Sequence, residues 1–258
     1  MTGALQQSNH FTNTLQSLGV KAFYDDGSQA HYVQRGPLIY LARAAQSAPL
    51  RAARGINRRA VTVINPDTAN AADLRAAGFR QLMTPASVGE IDLTQPLSPL
   101  PNWRASLCKA RTSALTVTAR PLVINDDAWF FAADTAQQKA KRFRAMPHAI
   151  AQFWPAEHTI FVQASLRSEP VAAMLFLVHG TAATYQIAWT NAQGRANCAH
   201  HLLLHHAATT LCAHGVARLD LGTIDTVNAA GLARFKIGAG AQVRQLGGTW
   251  GALPRIRR

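Results

Sequence analysis

The sequence predicts an α/β (α+β) protein, with a mixed, mainly antiparallel sheet flanked by helices and a smaller α/β unit ahead of it. Three observations carry that expectation. Strand-like runs of alternating or β-branched apolar residues interchange with stretches of helical periodicity through most of the chain. Three strand-like runs then follow one another at 159–166, 170–180 and 183–191. After them the order becomes helix, strand, helix, strand up to residue 250.

In the first part, "AHYVQRGPLIYL" at 30–41 reads as extended chain broken by a Gly-Pro turn, and "RRAVTVINP" at 58–66 as a short strand closed by Asn-Pro. "TANAADLRAAGF" at 68–79 reads as a helix with a Thr cap and a glycine end. Pro85, Pro96, Pro99 and Pro101 then cluster, which sets a domain junction near residue 90: a reduced unit over 1–90 and a larger one over 91–258. The larger unit opens on "PNWRASLCKARTS", a helix with Trp103, Leu107 and Ala110 on one side and Arg104 and Arg111 on another. "DDAWFFAADTAQQKAKRFRAM" at 126–146 starts acidic and ends basic, the order a helix dipole favours, so Asp126 and Asp127 read as a helix start. The three strands follow, with tight connections expected at Glu169-Pro170 and Gly180-Thr181. A histidine-rich helix over 198–215, a strand "VARLDLG", a helix "NAAGLARFKIG" and a strand "QVRQLGGTW" complete the chain.

Composition narrows the classes of function. The 258 residues include 26 Lys and Arg against 13 Asp and Glu, a net charge of +13, and such a field draws phosphates. Six arginines and no carboxylate lie between Asp26 and Asp67, and Arg51, Arg54 and Arg58 would share one helical face. After Asp225 come Arg234, Lys236, Arg244, Arg255, Arg257 and Arg258 with nothing in that stretch to offset them. Three cysteines speak against a disulfide framework. No apolar run approaches the ~20 residues that span a bilayer, and the amino terminus lacks a secretory pattern, so the expected compartment is the cytoplasm.

"CAHHLLLHHAATTLCAHG" at 198–215 raises the question of a metal. At ~100° per residue, with His201 as zero, His205 lies at ~40°, His206 at ~140°, His214 at ~220° and His200 at ~260°. The rings therefore surround the helix. Only His201 and His205 can share an ion, and no HExxH or CxxC supplies further ligands, so no metal is expected. The stripe Leu203, Leu204, Ala207, Ala208 and Leu211 is the predicted buried face, and His200, at its edge, is a candidate ligand contact. Ahead of this helix, "TNAQGRAN" places Gly194 and Arg195 in a strand-to-helix turn whose N–H groups and guanidinium invite a phosphate.

"LDLGTIDTVNAAGLARFKIGAGAQVRQLGGTW" at 219–250 resembles the carboxy-terminal signature of the Fem-type aminoacyltransferases, within the wider GNAT acyltransferase superfamily. The resemblance rests on Asp220, Gly222, Phe235, Lys236, Gly238 and Gly240. It extends loosely back to "WRASLCKAR" and covers about residues 90 to 250. It implies a GNAT-like sheet flanked by helices, a reduced GNAT-like amino-terminal unit, and transfer of an aminoacyl or acyl group to an amine. Lys236 would steady the donor carbonyl as the catalytic residue and Phe235 would shape the pocket. Gly194 and Arg195 would hold phosphate, and Asp220, Gly222 and Asn228 would make donor contacts near the strand end. No tightly bound cofactor is implied. The donor stays open between aminoacyl-tRNA and acyl-CoA, because Gln193-Gly194-Arg195-Ala196 lacks the spacing of the acetyl-CoA pattern; the acceptor amine and the oligomeric state also stay open. The physics agrees with the resemblance: acyl transfer needs a fixed positive group where the oxyanion develops. A non-catalytic GNAT-fold module that binds RNA or an acidic partner is the alternative. Other chemistries lack their motifs, since "GAGA" at 238–241 follows a helix and no G-x-S-x-G or Walker lysine is present.

Overall fold

The computed structural model describes residues 3–45, 56–57, 59–68, 70–143 and 145–254, and divides into two compact units. One comprises Met1–Val88 with Arg244–Arg258, the other Gly89–Val243.

The first unit is built on a six-stranded sheet. Its strands are β1 (Ala22–Asp25), β2 (Ala30–Arg35), β3 (Leu38–Ala44), β4 (Val61–Pro66), β5 (Arg80–Met83) and β13 (Thr249–Ala252), in the order β1-β2-β3-β4-β13-β5. Helices α1 (Asn9–Ser17) and α2 (Ala71–Ala76) accompany it. Ile39, Leu41, Ile64, Leu74, Phe79 and Trp250 form its core. Asn70, two residues after the expected Thr68, caps α2 by accepting the N–H of Ala72. Asp67 takes both Arg43 and Arg244, the latter at 2.7 Å, so Arg244 is offset by a carboxylate far back in the sequence. The expected helical face of Arg51, Arg54 and Arg58, and the terminal Arg255, Arg257 and Arg258, lie outside the described residues.

The single strand expected at 242–250 is two strands in two sheets. β12 (Gln242–Gln245) is an edge of the second sheet, whereas β13 pairs antiparallel with β4 and β5 of the first. The break falls at Gly247-Gly248. Gly248 has φ +78°, and a Cβ there would stand 2.9 Å from the Met83 carbonyl oxygen, so the chain turns where only glycine fits. The residues after 243 therefore belong with the amino-terminal unit and not, as expected, with the larger one.

The second unit holds a seven-stranded sheet in the order β12-β6-β11-β10-β9-β8-β7. The members not yet introduced are β6 (Ser87–Asp92), β7 (Leu115–Arg120), β8 (Thr159–Leu166), β9 (Glu169–His179), β10 (Ala182–Thr190) and β11 (Arg218–Thr223). Strands β7 to β10 run antiparallel; β10 and β11 run parallel. Glu169 and Pro170 lie within β9, and the β8–β9 turn is Arg167-Ser168, both at positive φ as a tight hairpin turn requires. Six helices complete the unit: α3 (Pro101–Arg111), α4 (Ala128–Lys141), α5 (His148–Gln152), α6 (Ala192–Ala196), α7 (Ala199–Ala213) and α8 (Ala230–Gly238). No helix among the described residues is long and apolar enough to cross a membrane.

Helix α7 lies on β7, β8 and β9. Its expected stripe, Leu203, Leu204, Ala207, Ala208 and Leu211, is at most 2% exposed, and each leucine contributes roughly 2 kcal/mol on burial. Trp103, Leu107 and Ala110 of α3 are buried as expected. Helix α4 is shorter than the expected 126–146 and closes on Arg142 in the left-handed region. Asp127 makes no capping bond; it is fully buried, and its two oxygens take the Arg120 guanidinium at 2.6 and 2.8 Å and the Val123 N–H at 2.9 Å.

Candidate functional site

Parallel β10 and β11 pair over only three residues, Ala182 to Thr184 against Arg218 to Asp220. Past Thr184 the strands part. A bulge falls between Tyr185 and Ile187 on β10, so Gln186 has no partner on β9. A cavity of about 860 Å³ opens along this length of β10, lined by Tyr185, Gln186, Ile187, Ala188 and Thr190. Across it stand Asn228 to Leu232 and Phe235 around the start of α8; the starts of α6 and α7 and the polar face of α4 complete the wall.

Lys236 is 5% exposed on α8, and its Nζ donates to the Thr223 carbonyl at 2.8 Å. Burial pulls its pKa down to about 8, opposed by the negative charge of buried Asp220. Lys236 does not itself line the cavity. Tyr185 does, and its ring centroid is 5.9 Å from the ammonium. Gly222 lets the chain turn here at φ +74°; a Cβ on it would come within 3.9 Å of the Lys236 Nζ, and its N–H donates to Asp220 Oδ1 at 2.7 Å. Asp220, Gly222 and Lys236 thus form one cluster. Phe235, beside Lys236, faces the cavity and meets His201 edge-on at 5.2 Å.

Gly194, Arg195 and Asn228 all line the cavity, but two of them act otherwise than expected. The Gly194 N–H is not open to a phosphate, because it donates to Asn191 Oδ1 at 2.9 Å as part of the α6 cap. Glycine is needed there for close approach: a Cβ would lie 2.2 Å from the Val171 carbonyl oxygen. Arg195 donates to the Thr190 carbonyl at 3.0 Å and is exposed at the rim, while Lys141 brings a second cation to the wall. Asn228 donates through its side chain and N–H to Asp225, so it shapes the rim loop.

The histidines divide by position. His200 lines the cavity and donates through Nε2 to the Trp189 carbonyl at 3.0 Å. Burial holds its pKa down at about 4, only partly opposed by that carbonyl. An unfolded imidazole takes a proton near 6.5, so between pH 6.5 and 4 the unfolded state binds the extra proton and stability falls with pH. His200→Gln, which keeps a donor and does not titrate, is expected to reduce the stability difference between pH 7 and pH 4.5 by about 2 kcal/mol in urea titrations. His201 packs against Trp103 and Phe235, and His205 Nε2 lies 3.0 Å from an Arg111 guanidinium nitrogen. Among the described residues no group of three or more His, Cys, Asp or Glu side chains is placed to hold a metal.

Sequence reading missed three parts of this wall. Tyr185 is a half-buried phenol whose pKa is raised by desolvation and, secondarily, by the charge of Asp134. The bulge at Gln186 leaves no mark in a strand pattern. Asp134, buried on α4, follows Phe130 by four residues and Phe131 by three, so a carboxylate on the apolar stripe was the available signal.

Residues 128–236 match a family model described as an acetyltransferase (GNAT) domain. The crystal structure of FemX superposes with a TM-score of 0.75 at 12% identity, covering 97% of this chain and 92% of that one. The C-terminal domain of a putative lysylphosphatidylglycerol synthetase from Agrobacterium fabrum gives 0.65 at 14%, covering 96% and 88%. A GCN5-related N-acetyltransferase from Kribbella flavida gives 0.52 at 10%, covering 96% of each. No curated protein matches the chain at a significant level. What is shared at these identities is the fold, and the chain has a Fem-like GNAT fold.

Proposed function

We propose, on the premise of that Fem-like GNAT fold, that the chain is an N-acyltransferase that moves an aminoacyl or acyl group from a phosphate-containing donor to an amine. The observation that carries the reading is the parting of β10 from β11, with a buried ammonium behind it and cations at its rim. The acceptor nitrogen attacks the donor carbonyl, the new C–N bond forms, and the oxygen gains charge. Lys236 supplies positive potential through the Tyr185 side of the wall, and the β10 main chain at Gln186, which has no register partner on β9, lies beside it at the cavity. Collapse then breaks the bond to the donor's ribose oxygen or thiol sulfur, which leaves with a proton. Phe235 and Tyr185 exclude water from one side, while Arg195 and Lys141 meet phosphate on the other.

Both donor classes fit this chemistry. The name of one similar structure, a putative lysylphosphatidylglycerol synthetase, concerns an aminoacylated product, and with the excess of positive charge it favours aminoacyl-tRNA. The test offers the protein [14C]aminoacyl-tRNA or [14C]acetyl-CoA with ethylamine and scores labelled amide. The expected result is saturable transfer from one donor, with aminoacyl-tRNA the stronger. Salt-sensitive RNA binding with no transfer from either donor would instead identify a non-catalytic binding module.

A further inference from the structure

Two carboxylates line the cavity, Asp134 and Asp225, and they differ in what surrounds them. Asp225 sits at the rim, where its oxygens accept the N–H groups of Val227 and Asn228 and the Asn228 amide. Asp134 is 3% exposed on α4. A carboxylate is costly to bury unless its charge is met, and here both donors reach the same oxygen: Gln138 Nε2 at 2.6 Å and His148 Nε2 at 2.7 Å, each on Oδ2. The other oxygen, Oδ1, takes no hydrogen bond among the described residues. This contrasts with Asp127, just ahead of the same helix, whose two oxygens are both consumed by Arg120. Asp134 is close enough to Tyr185 for its charge to be felt by that phenol, and Tyr185 is in turn the side chain beside Lys236. Besides the two carboxylates and Tyr185, the charged or titratable groups on the wall are Lys141, Arg195, Cys198, His200 and His201, so Asp134 is the anion deep in a cleft otherwise suited to anions.

We infer that Asp134 is the catalytic residue that binds the acceptor amine and takes its proton, and that His148, with Gln138, is a positioning residue that turns Oδ1 toward the cavity. The inference rests on the acyl-transfer reading above and names the group that meets the nucleophile. The amine, having lost one proton to solvent, attacks the acyl carbon. As the C–N bond forms its nitrogen becomes acidic, and Asp134 Oδ1 accepts the proton. The proton passes to the ribose oxygen or thiol sulfur as that bond breaks, which returns Asp134 to its carboxylate. The acceptor class that follows is a primary amine, arriving as an ammonium that the buried Asp134 carboxylate attracts into an otherwise cationic cleft.

Two measurements test this. In protein labelled with 15N-histidine, the His148 ring signal, assigned by its loss in His148→Gln, is followed while ethylammonium chloride is added, with sodium chloride as control. A saturable, ethylammonium-specific shift that disappears in Asp134→Asn is expected. No such shift in the wild-type protein overturns the proposal whether or not transfer is seen. Transfer is then compared between ethylamine and 2,2,2-trifluoroethylamine, whose attacking nitrogen sheds its proton to water more readily. Asp134→Asn is expected to slow ethylamine transfer about 100-fold and trifluoroethylamine transfer less than about tenfold. His148→Gln, whose amide can still donate to Oδ2, should keep at least about a third of the ethylamine rate. Equal losses for both amines, or a loss in His148→Gln as large as in Asp134→Asn, overturn the assignment. Should Asp134→Asn fail to fold, the wild-type titration and His148→Gln still decide. An ethylammonium shift without transfer from either donor would remove the acyl-transfer reading and leave the ammonium site standing.

Discussion

Replacing Lys236 with methionine is expected to lower the turnover of acyl transfer by about 10–100-fold, the worth of a buried charge that acts on the developing oxyanion across Tyr185 without touching it. The size of the effect follows from burial. At 5% exposure, with Nζ held on the Thr223 carbonyl, the ammonium acts through little water and needs no reorganisation as charge develops. Methionine matches the length of the stem but removes the hydrogen bond to the Thr223 carbonyl and the positive charge near buried Asp220, which lowers stability by about 1–2 kcal/mol. Lys236→Met with Asp220→Asn separates the two effects: the melting temperature should recover and the activity should not. The pH profile supplies a second signature. With a pKa of about 8, Lys236 is charged at neutral pH and loses its proton above it. Wild-type transfer should therefore turn over near pH 8, while the methionine variant rises with pH as the amine is freed. A variant retaining a third of wild-type activity would remove Lys236 from the mechanism.

Gly194→Val is expected to be the most damaging single substitution to the fold around the cavity. A Cβ at this position would lie 2.2 Å from the Val171 carbonyl oxygen and 2.3 Å from Thr190 Oγ1. Those atoms are fixed, because Thr190 Oγ1 and the Asn191 N–H both donate to that same carbonyl. Neither backbone can give without breaking the join between β9 and α6. A loss of about 3 kcal/mol or more is expected, seen as a lower urea midpoint at unchanged slope. Alanine places the same Cβ and should cost nearly as much. A midpoint unchanged in Gly194→Ala would show that α6 can lift off β9.

The sequence exposed the elements of the second unit more fully than the site they build. The apolar stripe of α7 was readable because leucines and alanines recur at helical spacing, and the three antiparallel strands because each is long and bounded by turn residues. The strands β1 and β5 carry four residues each, too few for a period to emerge, and β7 sets half-buried Leu115, Val117 and Ala119 in alternation with exposed threonines rather than in a continuous apolar run. The split of 242–250 into β12 and β13 was hidden because Gly247-Gly248 reads as a pause within a strand until the Met83 carbonyl is seen close by. At the site, motif resemblance brought Asp220, Gly222 and Lys236 together, and they do share a cluster. It could not tell that the Gly194 N–H is spent on Asn191, which is a matter of capping geometry. Asp134 and His148 stand fourteen residues apart on separate helices, and their 2.7 Å contact depends on the turn between α4 and α5.

The short three-rung pairing of β10 with β11 has an evolutionary meaning. Under the acyl-transfer reading, a guest entering where the strands diverge meets amides and carbonyls, groups that every amino acid but proline carries and that few point mutations delete. Recognition built on such groups tolerates wholesale replacement of the surrounding side chains. Lineages can then drift until their sequences share almost nothing, take on new nucleophiles, and still grip the incoming carbonyl in the same way.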